Sequence, residues 1–229
     1  MTTRVSFKFW CFLVAAAAVG ALFFFRPSLD LETSALFYRH GAFYLAHTPL
    51  VRLVYRGVPI AATIYGVFIV GACGYLLMSR RPALLGLTAK AYLYLILALA
   101  IGPGLVVNVG LKNHFGRARP TQVVQFGGNK QFTPAFEPSD QVPHNGSFVC
   151  GHASVGFYFV ALSFLYARRK RRLIFGAAVL AGSLIGLVRI IQGGHFLSDV
   201  IFSFVFVYLV SYLLYLIMFA RERSNVEMA

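Results

Sequence analysis

Acidic side chains are scarce. Seven Asp and Glu face twenty-one Lys and Arg, and charged residues of both signs make up only 12% of 229 residues. A soluble domain carries roughly a quarter charged residues, so a water-soluble globule is excluded for the bulk of the chain. Cysteine is equally sparse. Cys11, Cys73 and Cys150 follow no metal or disulfide spacing, which argues against a disulfide framework and a zinc cluster. Cys11 and Cys73 fall in apolar runs, where a thiol acts as a small hydrophobe. No internal repeat or low-complexity tract is visible, and the length leaves no room for a second domain. A single domain over 1–229 is expected, with its motif-bearing core at 91–220.

Apolar residues are what the chain has in quantity: 59% of the sequence and a mean hydropathy of +0.72. Six stretches, 9–25, 58–78, 91–111, 152–167, 173–191 and 198–220, reach or approach the ~20 apolar residues that a spanning helix needs. They predict an all-α, six-transmembrane helical bundle. Arg4 and Lys8 precede the first stretch, which ends in Phe23-Phe24-Phe25-Arg26-Pro27 rather than a small-residue cleavage site. A retained signal-anchor helix is expected there rather than a cleaved leader.

The net charge of +14 would suggest nucleic acid in a soluble protein. In a membrane protein basic residues first of all set orientation, and no nucleic-acid partner is expected. The run Arg168-Arg169-Lys170-Arg171-Arg172 is hard to translocate, so it belongs to the cytoplasm, with Arg4, Lys8, Arg80, Arg81, Lys90, Arg221 and Arg223. Both termini are then cytoplasmic. The opposite side keeps Lys112, Arg117, Arg119 and Arg189, with Arg26, Arg39, Arg52 and Arg56. A cationic surplus on that side needs a reason, and binding anionic groups supplies one. Between the first two spans an amphipathic helix around 33–46 could lie at the interface; a plain connecting loop fits as well.

Three polar clusters punctuate the apolar chain. Lys112 ends the third span, and Arg119 follows with Pro120 stopping any helix. Ser147-Phe148-Val149-Cys150-Gly151-His152 opens the fourth span, where helix N–H groups make an anion site. Arg189 closes the fifth span, and His195 leads into the sixth with Asp199 four residues on, hence on one helix face. With six spans and the N-terminus inside, all three clusters meet at one mouth of the bundle, outside the cytoplasm. Arginine grips phosphate oxygens through a planar fork and lysine adds a point charge. Asp199 can fix the tautomer of His195 and leave the other ring nitrogen free to attack. Taken singly, the cations also fit interface anchors, and Asp199 also fits a helix N-terminal charge. The loop 112–150 is long enough to be functional, and in it His114 and His144 read as exposed loop residues.

The pattern Lys112–six residues–Arg119-Pro120, Ser147-Phe148-x-x-Gly151-His152, and Arg189–five residues–His195–three residues–Asp199 resembles the type 2 phosphatidic acid phosphatase (PAP2) superfamily. That superfamily includes membrane lipid phosphatases, glucose-6-phosphatase and vanadium haloperoxidases. The resemblance implies a PAP2/haloperoxidase-like core. It implies His195 as nucleophile forming a phosphohistidine, Asp199 orienting it, and His152 as general acid. Lys112, Arg119 and Arg189 would hold the non-bridging oxygens with the Gly151 N–H, and Arg117 would contact phosphate or headgroup. No metal or other cofactor is implied. The family usually has serine where this chain has Cys150, a weaker donor, for which Ser147 or Ser154 could compensate. A cysteine-phosphatase reading of Cys150 fails, because that chemistry needs arginine six residues on and Gly156 stands there.

The expected activity is that of a lipid phosphatase of the bacterial inner membrane with a periplasmic active site. Lipid A is the first substrate by family-level analogy. Undecaprenyl diphosphate, phosphatidate and phosphatidylglycerol phosphate stay open, as does transfer of the phosphoryl group to a lipid acceptor. A soluble haloperoxidase-like enzyme is opposed by the apolar spans, and a transporter leaves the His195–Asp199 pair without purpose. The oligomeric state is not legible.

Overall fold

In a bilayer every backbone N–H and C=O must be paired within the protein, and apolar runs of this length achieve it as helices. The computed structural model describes residues 7–227, with side chains to residue 219. Arg4 and the side chains of Arg221 and Arg223 lie outside the described residues. The long elements are α1 (Phe7–Phe25), α3 (Pro49–Ser79), α4 (Ala89–Leu99), α8 (Arg168–Ile191) and α9 (Leu197–Glu227). Helix α4 continues through a π-helical stretch, Ala100–Leu111, into α5 (Lys112–His114). Among the described residues five helices are long and apolar enough to span. The sixth apolar helix, Gly151–Phe164, is shorter and broken into α6 (Gly151–Tyr158) and α7 (Val160–Phe164). Large apolar side chains such as Ile64, Val67, Leu77, Leu180 and Ile217 face outward, as lipid contact requires.

Pro103 sits inside the third span, lacks an N–H and crowds the preceding turn. There the helix widens to π geometry, a device common near functional sites, and Asn108 Nδ2 donates to the Pro103 carbonyl at 2.7 Å. Lys112 follows at the end of this stretch. Helices α6 and α8 pack at backbone distance: a Cβ on Gly156 would lie 2.6 Å from the Gly182 Cα, the small-residue contact that lets membrane helices approach. Buried tyrosines pair their hydroxyls with backbone, Tyr94 donating to the Ser211 carbonyl at 3.0 Å and Tyr158 to that of Leu95 at 2.9 Å.

The stretch 33–46 is not one amphipathic helix. A short helix, α2 (Ser28–Ala35), is followed by a hairpin of β1 (Tyr38–Arg39) and β2 (Ala42–Phe43). His40 and Gly41 both adopt positive φ, 51° and 81°, which is the two-residue turn that suits strand twist. The hairpin packs into a second, smaller apolar cluster, with Phe43, Val123, Phe126 and Phe196, at the end of the bundle where Lys112, His152 and His195 lie.

Candidate active site

Backbone hydrogen bonds stitch the three sequence clusters together. The Gly146 N–H donates to the Lys112 carbonyl at 2.8 Å and the Ser147 N–H to the Arg117 carbonyl at 2.7 Å. The Cys150 N–H then donates to the Asp199 carbonyl at 3.0 Å, and Ser203 Oγ donates to the Cys150 carbonyl at 2.8 Å. Residues more than eighty positions apart are thereby held in one layer at the mouth of the bundle.

His195 and Asp199 are both fully buried. His195 Nδ1 faces Asp199 Oδ2 at 3.4 Å, a loose contact of the kind that tightens when substrate binds. Among the described residues neither Nδ1 nor Nε2 makes a hydrogen bond, and only Nδ1 has a carboxylate facing it. Burial pushes the imidazole down to about 3; the cations Lys112 and Arg189 push the same way, and Asp199 pulls against them. The ring is therefore neutral at physiological pH, with a lone pair available for attack.

Asp199 is immobilised from all sides. Oδ1 accepts from Arg117 Nη1 at 2.7 Å, while Oδ2 accepts from the Phe196 N–H at 2.8 Å and from the Ser147 hydroxyl. The bond to Phe196, just ahead of α9, caps that helix. Asp199 is thus both a helix N-terminal charge and the partner of His195.

Lys112, Arg119 and Arg189 lie within electrostatic range of one another, and Lys112 and Arg189 within range of Cys150. Each leans on a neutral acceptor rather than a carboxylate. Lys112 Nζ donates to Asn145 Oδ1 at 3.3 Å, Arg119 Nη2 to the Asn145 carbonyl at 3.1 Å, and Arg189 Nη1 to Gln192 Oε1. A phosphate outcompetes such partners because charge-assisted bonds are about twice as strong as neutral ones. Gly151 is needed where it stands: a Cβ there would lie 2.5 Å from Asn108 Oδ1 and 3.4 Å from Lys112 Cε. His152 stacks on Tyr55, ring centroids 5.2 Å apart, and donates Nε2–H to the Tyr55 carbonyl at 3.0 Å. Arg189 also lies over the Tyr55 ring, at 4.8 Å.

Two expectations change. Arg117 does not offer its guanidinium to phosphate. It is fully buried between Phe196 and Phe132, and four of its N–H bonds go to Asp30, Asp199, Ser198 and the Thr133 carbonyl. Ser147 gives its hydroxyl hydrogen to Asp199, so it supports the carboxylate instead of replacing a phosphate donor. Ser154 turns its hydroxyl to the Gly151 carbonyl at 2.7 Å and does not replace that donor either. Burial pushes the Cys150 thiol up, which keeps it neutral. His114 and His144 are exposed.

Sequence reasoning missed Asp30. Its carboxylate pairs with Arg117 at 2.7 Å and accepts from the Ser198 N–H at 2.9 Å and hydroxyl at 2.6 Å. Burial raises its pKa and the Asp199 charge adds to that, against Arg117, which lowers it. Its rarity was the available clue: an acid in a chain with seven. Among the described residues no group of three or more His, Cys, Asp or Glu could hold a metal ion.

The PAP2 superfamily model matches residues 91–223, which contain all three clusters. The chain is 38% identical over 216 residues to the "Lipid A 4'-phosphatase" of Francisella tularensis subsp. novicida, covering 92% of this chain and 95% of that one. It is 41% identical over 104 residues to the "Lipid A 4'-phosphatase" of Rhizobium etli, covering 45% of this chain and 40% of the relative. Against the "Lipid A 1-phosphatase" of Rhizobium etli the figures are 34% over 149 residues, 61% of this chain and 56% of the relative. No solved structure matches. Sequence pattern, helical architecture and the clustered site agree, and the chain belongs to the PAP2 superfamily.

Proposed function

We propose that this membrane phosphatase removes a phosphate from lipid A, the 4′ phosphate first, through a phosphohistidine on His195. The single observation that carries the mechanism is the unpartnered Nε2 of a buried neutral His195 beside the cations Lys112 and Arg189. The lipid A reading rests on the Francisella relative, whose likeness runs through nearly the whole of both chains, whereas likeness to a 1-phosphatase covers 61% of this chain.

In the first step Nε2 attacks phosphorus. A P–N bond forms as the ester P–O bond breaks, and the leaving oxygen takes a proton from His152. The Tyr55 carbonyl occupies Nε2 of His152, which leaves Nδ1 for that transfer. Lys112, Arg119, Arg189 and the Gly151 N–H stabilise charge on the non-bridging oxygens. The Asp199 carboxylate balances the positive charge that develops on the His195 ring. Water, deprotonated by His152, then displaces the histidine and releases phosphate.

The run Arg168–Arg172 begins α8, and Arg189 lies near its other end. The 24 residues of that helix rise about 36 Å at 1.5 Å per residue, a full hydrocarbon thickness. With the run held in the cytoplasm, the site opens on the periplasmic face of a bacterial inner membrane and both termini are cytoplasmic.

The test is phosphate release by purified protein from lipid A, undecaprenyl diphosphate, phosphatidate and phosphatidylglycerol phosphate, with His195→Ala as control. Lipid A should release free phosphate, the variant none, and acid-labile label from a phosphorus-labelled substrate should map to His195. Label on a lipid acceptor in place of free phosphate would make the enzyme a phosphotransferase. Undiminished release by His195→Ala would remove it as nucleophile.

A further inference from the structure

Above the catalytic layer lies a cavity of about 500 Å³, within the ~300–1,000 Å³ range of small-ligand sites. Arg119, Arg189, Gln192 and Gly194 line one side of it, so it borders two of the three phosphate cations and the turn that delivers His195. Its walls come from the hairpin (Tyr38, Gly41, Ala42, Phe43), from His47, and from the turn at Thr121–Gly127. Apart from Tyr55 and Arg189, the lining residues belong to extramembrane segments. Whatever enters this space is therefore a water-side group and not an acyl chain.

The lining combines aromatic side chains with hydrogen-bonding ones. Tyr38, Phe43 and Phe126 form a mutually braced triad with centroids 5.2–5.5 Å apart. The same lining includes His47, Thr121 and Gln192, and Tyr38 brings a hydroxyl. A sugar ring needs this mixture, because its C–H faces pack on aromatic rings while its hydroxyl and amide groups seek donors and acceptors. A glycerol or prenyl phosphate has no ring to use it.

The wall is also tied rigidly to the nucleophile. A Cβ on Gly193 would lie 2.5 Å from the Phe43 ring, so the hairpin rests on the turn before His195. The Thr121 N–H donates to the Gly193 carbonyl at 3.1 Å. A ring seated on the hairpin has its phosphate held at a fixed height above His195, which is the positioning that raises rate.

We propose that this cavity receives the hexosamine ring bearing the scissile phosphate, and that the hairpin Tyr38–Phe43 selects sugar-borne phosphates over glycerol- or prenyl-borne ones. The proposal rests on the lipid A reading for its natural substrate.

The probe variants are Ala42→Trp and His47→Ala. Ala42 is exposed on β2, where tryptophan is well tolerated in a strand, and its ring would intrude into the cavity. His47→Ala removes a polar edge from an exposed position. Two quantities are measured: the ratio of kcat/KM for lipid A to that for phosphatidate, and inhibition of phosphatidate hydrolysis by a soluble hexosamine phosphate relative to glycerol 3-phosphate. In Ala42→Trp the ratio should fall at least ~10-fold, equivalent to about 1.4 kcal/mol of lost discrimination, mainly through KM, and the advantage of the hexosamine phosphate should vanish; His47→Ala should move both the same way by less. A ratio unchanged in both variants, whether both rates fall together or neither does, overturns the proposal. If lipid A is not hydrolysed by wild type yet hexosamine phosphate still competes better, the substrate reading fails and the cavity assignment stands. Equal competition by the two soluble phosphates overturns the assignment.

Discussion

Removing Asp30 tests whether the relay behind His195 is built as the geometry implies. Asp30→Ala deletes the acceptor for Arg117 Nη2 at 2.7 Å and for the N–H and hydroxyl of Ser198 at 2.9 and 2.6 Å, all of them buried residues. Breaking a buried ion pair from one side costs about 3–5 kcal/mol, and each buried donor left unpaired about 1–3. Two features reduce the total. Arg117 keeps Asp199 at 2.7 Å, and one guanidinium then serves one carboxylate instead of two. The raised pKa of Asp30 also says that its ionised form is held at a cost. A net loss of about 3 kcal/mol is expected, a fall of roughly 6–12 °C in Tm for a chain of this size.

Asp30→Asn keeps one acceptor and resembles the neutral form, so about 1 kcal/mol is expected, near the worth of a single net hydrogen bond. Arg117→Met strands two buried carboxylates and should lose the most, about 5 kcal/mol or more. The assay is thermal unfolding of detergent-purified protein followed by intrinsic fluorescence, with phosphate release measured on the folded fraction. Asp30→Ala should keep measurable turnover because Asp199 retains its own partners, whereas Arg117→Met frees Asp199 from its fixed position. The reasoning is refuted if Asp30→Ala melts within about 2 °C of wild type, under 1 kcal/mol by the same scaling, or if Arg117→Met proves the milder change.

His195, pushed down to about 3, should show no titration between about pH 8 and 4.5 in the NMR spectrum of histidine-labelled protein, with His195→Gln for assignment; an ordinary midpoint near 6.5 would contradict the burial. Since its folded pKa lies below the unfolded value, its contribution to stability is complete above about pH 6.5 and is lost as pH falls toward 3, by about 2 kcal/mol at pH 5. The wild-type Tm should therefore drop further between those pH values than that of His195→Gln. Cys150→Ser should hold or raise kcat/KM, a hydroxyl being the better donor, and a dead variant would reveal a role for the thiol. Gly151→Ala forces a methyl group against Asn108 Oδ1 and Lys112 Cε, so turnover should fall at least ~10-fold, since small misplacements of binding groups carry such costs. Asn108→Ala in the same chain should restore part of it, and no restoration would mean that the clash lies elsewhere.

The helical bundle was legible because lipid leaves the backbone few alternatives: each apolar run of sufficient length became a helix. The polar clusters were legible because cations and imidazoles are rare in such company, and three fixed spacings arranged them at one mouth. What the sequence concealed are partnerships. Arg117 and Arg119 stand two residues apart with the same side chain, yet Arg117 turns inward to two carboxylates while Arg119 is only half-buried and holds the Asn145 carbonyl. Nothing local separates them; the difference is made by Asp30, eighty-seven positions away, in a segment whose mixed residues gave no strong period. The same segment hid the hairpin, because its strands are two residues long and its turn uses His40 at positive φ, where glycine or asparagine would have given the stronger cue. Ser147 was misread for a related reason. A serine beside a phosphate motif invites a phosphate role, but a buried carboxylate needs its hydrogen bonds supplied from within the protein, and Asp199 takes the nearest hydroxyl. In this site the cations that rest on neutral acceptors could be read from spacing, while the buried charges behind them depend on contacts that only the folded chain creates.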